Sequence, residues 1–155
     1  MVRVHPSLLD AQKLPASRVT RRIWKERFED INAFERHLWR SGTIVRKFYL
    51  HVSRREQQRR LLERLDDPLK NWKFSSRDLA ERELWPQYRA AYSDMLAATS
   101  HDRAPWYVIP ADHKWFVQLL VVEIVVETLE SLDLSLPKLT PERRRELARA
   151  RRDLR

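Results

Sequence analysis

The sequence predicts a helix-rich α/β fold, and three observations point to it. The stretch "TIVRKFYLHV", Thr43 to Val52, concentrates β-branched and aromatic residues, as strands do. Ser53 comes directly after, with Glu56 three residues on, and this S-x-x-E capping box starts a helix at the strand's carboxyl end. A second short apolar run, Trp106 to Ile109, arrives only after further helical sequence. Two strands joined through helices suggest part of a parallel sheet.

The elements are taken in chain order. Residues 1–20 form a weakly defined lead-in: "MVRVH" alternates like a strand or helix end, and Pro6 and Pro15 interrupt any longer regular element there. Residues 21–40 read as an amphipathic helix, because Trp24, Phe28, Ile31, Phe34 and Leu38 recur at helical spacing on one face. Gly42 is placed to terminate it. The helix capped by Ser53 runs to about Leu65 and carries Arg54, Arg55, Arg59, Arg60 and Arg64. The irregular "DDPLKNWKFSSRD" comes next. Ser75 and Asp78 repeat the capping pattern before a helix over Arg77–Ala98, which Pro86 is placed to kink. After the second strand, Asp112 is positioned to cap a helix starting near His113. Trp115, Leu119, Val122, Val126 and Leu129 make that helix apolar enough for a core, and Pro137 closes it. Thr140-Pro141-Glu142 opens a last, Arg-rich helix running to Arg155.

Composition narrows the function. A chain of 155 residues, 43% hydrophobic with six tryptophans, suffices for about one domain with a packed core. Thirty-one Lys and Arg against 22 Asp and Glu leave a net charge of +9, which favours polyanionic partners. No cysteine is present, so disulfides, Cys-ligated zinc and thiol catalysis are excluded, and a reducing cytosol is compatible. Residues 1–20 lack a signal peptide's apolar core. The most apolar run, Trp115 to Val126, is too short for a membrane span of ~20 residues. Average usage of about 7% glycine would give about eleven. Gly42 is the single one, so this sequence builds neither a P-loop nor a dinucleotide-binding glycine turn.

In open α/β sheets ligands bind at the carboxyl ends of strands, beside helix N-termini. Two such corners exist, Ser53-Arg54-Arg55 and Ala111-Asp112-His113-Lys114, and solvated charges at ordinary corners explain them equally well. Asp112 and His113 suggest an acid/base pair, yet a capping Asp and an exposed His suffice. Five histidines show no metal-binding spacing. Asp66-Asp67 before Pro68 reads as a turn more readily than as a Mg²⁺ site. The arginine face of 54–64 is compatible with a solvated face, a nucleic-acid stripe or a mobile cover. The layout favours the cover. A capped Arg-rich helix leaves a strand end, breaks into a Lys-bearing segment, and returns through a capped helix with Arg82 and Arg89, like a lid closing cations over a transferred phosphate.

From about Trp24 to Trp115 the chain resembles the C-terminal half of the polyphosphate kinase 2 family. The resemblance is carried by F-E, G-T, K-F-x-L-H-V-S, E-Q, D-P-x-K-x-W-K, W-x-x-Y, A-P-W and D-x-K-W in order, with "VRVHP" fitting at the start. It implies the C-terminal part of a P-loop kinase-like parallel sheet with a helical lid: a partial domain over 1–137, the lid at about 54–98, and an Arg-rich helix over 138–155. It implies transfer of phosphate between inorganic polyphosphate and nucleoside mono- or diphosphates with Mg²⁺, in the cytoplasm. A homo-oligomer stays open, no membrane is implied, and nucleic acid is disfavoured. The family's glycine loop with its lysine and its Walker B-like motif lie upstream of the matching part. No catalytic residue is therefore carried over, and transfer by this chain alone is not expected. The part that carries over is a phosphate-binding set: Arg60, Arg64, Lys70, Lys73 and Arg82 in the lid, and Lys114 after the last strand, with Trp72 anchoring its segment by packing. The rival readings are a basic nucleic-acid-binding module and a fragment that docks on a chain supplying the rest.

Overall fold

The computed structural model describes residues 2–154. It divides into two compact units, Met1–Gln118 and Leu119–Arg155. In the first, α1 (Ile23–Arg40) leads to β1 (Lys47–His51), α2 (Arg54–Asp66), α3 (Arg77–Glu83), α4 (Trp85–Thr99) and β2 (Trp106–Pro110). Helix α5 (Lys114–Glu130) begins in the first unit and continues in the second, which also holds α6 (Pro141–Asp153). The lead-in is neither strand nor α-helix. It forms 3-10 turns at Pro6–Gln12 and Ala16–Arg18, where the prolines deny a longer hydrogen-bonded run.

The two strands pair in parallel, from Lys47 opposite Trp106 to His51 opposite Pro110. The expected helical crossover is thus present, and it comprises α2, α3 and α4. Ile109, 2% exposed, is the most buried large side chain, and Ala104, Ala111, Ile23 and Leu61 are also buried. Phe48 and Tyr107, side by side on the strands, stack with centroids 5.7 Å apart.

Local signals behave as their chemistry dictates. Ser53 caps α2: its Oγ accepts the Glu56 N–H at 3.0 Å. Thr140 caps α6 in the same way, accepting the Arg143 N–H at 3.2 Å. Gly42 takes φ +82° just past α1, a left-handed conformation that suits glycine. The Ser75–Asp78 box is half formed. Asp78 reaches back to the Ser75 N–H at 3.4 Å, while Ser75 Oγ accepts from Arg77 instead. Pro86 does more than kink a helix: the expected single helix is split at Leu84, and Pro86 sits in the first turn of α4, where its missing N–H is harmless.

Three expectations are corrected. Helix α5 has no buried residue among those described, and Trp115 is 65% exposed. Apolar composition states which surface favours cover, and nothing in the sequence guarantees that the same residues supply it. The helix ends at Glu130, well before Pro137, because the chain turns at Asp133 with φ +47°. The α1 stripe is only partly sheltered: Ile31 and Phe34 are exposed, whereas the charged Glu35 is buried.

Burial of Glu35 has a specific cause. Lys47 Nζ donates to both its carboxylate oxygens at 2.8 and 2.7 Å, and to the Thr99 carbonyl at 2.6 Å. His101 Nε2 lies 3.0 Å from the same carboxylate. Trp106 Nε1 donates to Thr99 Oγ1 at 2.9 Å, and Thr99 in turn donates to the Met95 carbonyl. This network ties α1, β1, the end of α4 and the start of β2 together, with each buried polar group satisfied.

Candidate phosphate-binding site

The carboxyl ends of β1 and β2 place Ser53 and Asp112 side by side. Asp112 does not cap its own helix. Its Oδ1 accepts the Ser53 N–H at 2.7 Å, and hydrogen bonds from Ser53 hold its carboxyl below the usual range. Asp112 is thereby committed as an ionised acceptor that joins the two strand ends, and His113 beside it is exposed. A cleft of about 450 Å³ opens here between His51, Ser53, Pro110, Asp112, His113 and Trp115.

Helix α2 rises from this corner. Its arginine face is partly spent on internal pairs. Arg59 donates through Nε and Nη2 to Glu56 at 2.7 and 2.6 Å and also pairs with Glu63. The hydrogen bond from Arg59, with a further one from Arg60, lowers the Glu56 carboxyl to about 2. Arg60 donates from Nε to Glu56 at 2.7 Å and from Nη2 to the Ala111 carbonyl at 2.8 Å. It thus fastens α2 to the end of β2 while lining the surface on both sides. One hollow, about 310 Å³, is shared by Arg60 and Arg64 with Asp78, Glu81 and Trp85. The other, about 260 Å³, is shared by Arg60 and Lys114 with Leu50, Val52 and Val117. Arg82 reaches back from α3 to the first turn of α2, donating to the Arg54 carbonyl and to Gln57 Oε1, both at 2.8 Å.

Of the residues expected from sequence, Arg60, Arg64 and Lys114 therefore gather around α2, and Arg82 holds α3 to its start. Lys70 and Lys73 stand apart on the turn after α2. Lys70 Nζ donates to Asp67 Oδ2 at 2.5 Å, which lowers the Asp67 carboxyl, and the Leu69 N–H adds to this. Asp66 thus ends α2, and Asp67 caps it at the start of the turn. Lys73 lies over the Trp72 ring, 5.1 Å from its centroid. Trp72 is no packing anchor: it is 75% exposed, with Nε1 donating to the nearby Leu69 carbonyl at 3.0 Å. Leu69 beside it is itself exposed, so the turn gives the indole no cover.

Sequence reasoning missed two features. Tyr88, pushed up to about 12 by burial and its bond to Glu81, donates to Glu81 Oε2 at 2.6 Å, and His5 Nε2 lies 2.9 Å from the same oxygen. This ties the lead-in to α3 and α4, and its only trace in sequence is the "VRVHP" motif. The other is the Glu35–Lys47 pair, whose partners stand 12 positions apart and individually resemble solvated charges.

The family described as Polyphosphate kinase 2 matches residues 17–136. An ADP-polyphosphate phosphotransferase of Rhodopseudomonas palustris is 44% identical over 155 residues, spanning 99% of this chain and 54% of that protein. An uncharacterized protein of Leptolyngbya boryana is 50% identical over 132 residues, 85% of this chain and 97% of that one. The crystal structure of a polyphosphate kinase 2 from Arthrobacter aurescens superposes with a TM-score of 0.78 at 37% identity, covering 96% of this chain and 49% of that one. The chain thus spans about half the length of the phosphotransferases it matches, and nearly all of the Leptolyngbya protein.

Proposed function

The chain belongs to the polyphosphate kinase 2 family, and on that premise we propose that it carries the phosphate-gripping lid of a polyphosphate:nucleotide phosphotransferase. One observation supports this most: α2, the Lys-bearing turn, α3 and α4 form an excursion that leaves the carboxyl end of β1 and returns to β2. That is the end of a parallel sheet where phosphate chemistry is placed. In this reading 1–137 is a partial domain with its lid at about 54–98, and 138–155 is an appended Arg-rich helix.

The substrates are inorganic polyphosphate and ADP or AMP. Arg60, Arg64 and Lys114 form the fixed cationic wall around α2. Lys70 and Lys73, on the exposed turn, meet the phosphates as the lid closes, and Arg82 positions the wall by clamping α3 to α2. A bound phosphate chain competes for Lys70 with Asp67, so closure exchanges one anion for another. Phosphoryl transfer of this kind uses a divalent cation to neutralise charge, Mg²⁺ by the family resemblance. Among the described residues no group of three or more His, Cys, Asp or Glu gathers as an all-protein metal cage. With Gly42 as its single glycine, the chain also has no glycine-rich loop to cradle the reacting phosphates.

The pure chain, given ADP, polyphosphate and Mg²⁺, is therefore expected to form no ATP above background in a luminescence assay, while binding polyphosphate with affinity that falls as salt rises. Robust ATP formation overturns the division of labour. Absence of salt-dependent polyphosphate binding that Lys70→Gln/Lys73→Gln weakens overturns the lid.

A further inference from the structure

A pocket of about 490 Å³ lies where α1 passes the turn that precedes β2. Its lining is Asn32, Arg36 and Arg40 from α1, and His101, Asp102 and Arg103 from the turn. Arg36 and Arg40 stand one helical turn apart. Like charges at that spacing repel, and neither has an ion-pair partner among the described residues. The third guanidinium is held in place: Arg103 stacks over the Trp39 ring, 4.4 Å from its centroid. His101 is oriented by the Glu35 carboxylate. Asp102 is the one acid on the rim. Three guanidinium groups gathered around a cavity, one pre-oriented and two repelling each other, raise the local positive potential.

We propose that this pocket is a second anion site, which binds the phosphate groups of a phosphoanhydride ligand. Guanidinium forks match phosphate oxygens bidentately, and their fixed, planar donors suit a site that holds rather than transfers. Two sources carry this chemistry, a length of polyphosphate chain and the phosphates of a nucleotide. The site stands independently of the lid: it uses none of Arg60, Arg64, Lys70, Lys73, Arg82 or Lys114.

The test is nuclear magnetic resonance of the arginine Nε–H groups in the full chain carrying Lys70→Gln/Lys73→Gln. Sodium tripolyphosphate and ADP are titrated separately. Saturable shifts at Arg36, Arg40 and Arg103 are expected with at least one of them. The ligand that produces them at lower concentration identifies the source. Adding Arg36→Gln/Arg40→Gln is expected to weaken the Arg103 response about tenfold or more. Shifts absent with both ligands, or an Arg103 response unchanged in the quadruple variant, overturn the proposal. If the quadruple variant does not fold, the titration of the parent still decides. Polyphosphate binding that Lys70→Gln/Lys73→Gln leaves unchanged, with these shifts present, would refute the lid alone.

Discussion

Glu35→Gln removes one charge from the buried pair and changes almost nothing else. The substitution conserves shape, so no cavity adds to the effect. Both side chains are about nine-tenths buried, with exposures of 8% for Glu35 and 11% for Lys47, so solvent screens little. The variant leaves the Lys47 ammonium facing a neutral amide oxygen and the Thr99 carbonyl. Breaking a buried ion pair by removing one partner costs about 3–5 kcal/mol. The retained neutral hydrogen bond places Glu35→Gln near the lower end. For a chain of this size each kcal/mol lowers Tm by about 2–4 °C, so a drop of roughly 6–12 °C is expected in thermal melts followed by circular dichroism. Adding Lys47→Met removes the stranded charge, and the double variant should melt above the single one. A single-variant drop below about 2 °C, or a double variant that melts lower still, would refute the assignment of this network as the tie between α1 and the sheet.

Ser53→Ala removes the α2 cap and should destabilise by about 1 kcal/mol, read as a Tm loss of about 2–4 °C; an unchanged melt would mean that the first turn of α2 does not need its cap. Acid should weaken the fold. Glu56, Asp67, Glu81 and Asp112 all have carboxyls held below their ordinary values, Glu56 at about 2, each by hydrogen bonds to neighbouring groups. Carboxyls depressed in the folded state stabilise it above the ordinary carboxylate range, and lose that contribution as pH falls towards about 2. A Tm that stays flat from neutral pH to about 2.5 would contradict this. The ATP assay and the arginine titration complete the set.

The features legible in sequence are those that depend on near neighbours. The capping box at Ser53 needs only a serine and a glutamate three apart, and its hydrogen bond is present. Thr43 to Val52 declared a strand through side-chain type, although pairing is confined to Lys47–His51, the residues opposite β2. The two strand signals separated by helical sequence pointed to the crossover, which is present. Arg60 lines one hollow with Arg64 and another with Lys114, yet the bond from Arg60 to the Ala111 carbonyl spans 51 positions and has no sequence signature. The same holds for Asp112, which serves Ser53 rather than its own helix, and for Glu35, whose burial follows from a lysine on a strand. Charge identity is local, whereas charge pairing is set by tertiary contact. Helix α5 shows the converse: its apolar character is plain, but its cover is not something composition specifies.

The parallel ladder also bears on how the chain folds. Every rung joins residues 59 positions apart, as Lys47 and Trp106 are. Closing a loop of that length costs roughly 3.6 kcal/mol beyond a constant, before any rung forms. Condensation of α2, α3 and α4 shortens that loop, so pairing of β1 with β2 is favoured once the crossover helices have formed. The same logarithm makes the loop's length forgiving, since doubling the segment would add only about 0.6 kcal/mol. Insertions around the 67–73 turn should then barely change stability, so the crossover can vary in length there at little cost to the fold.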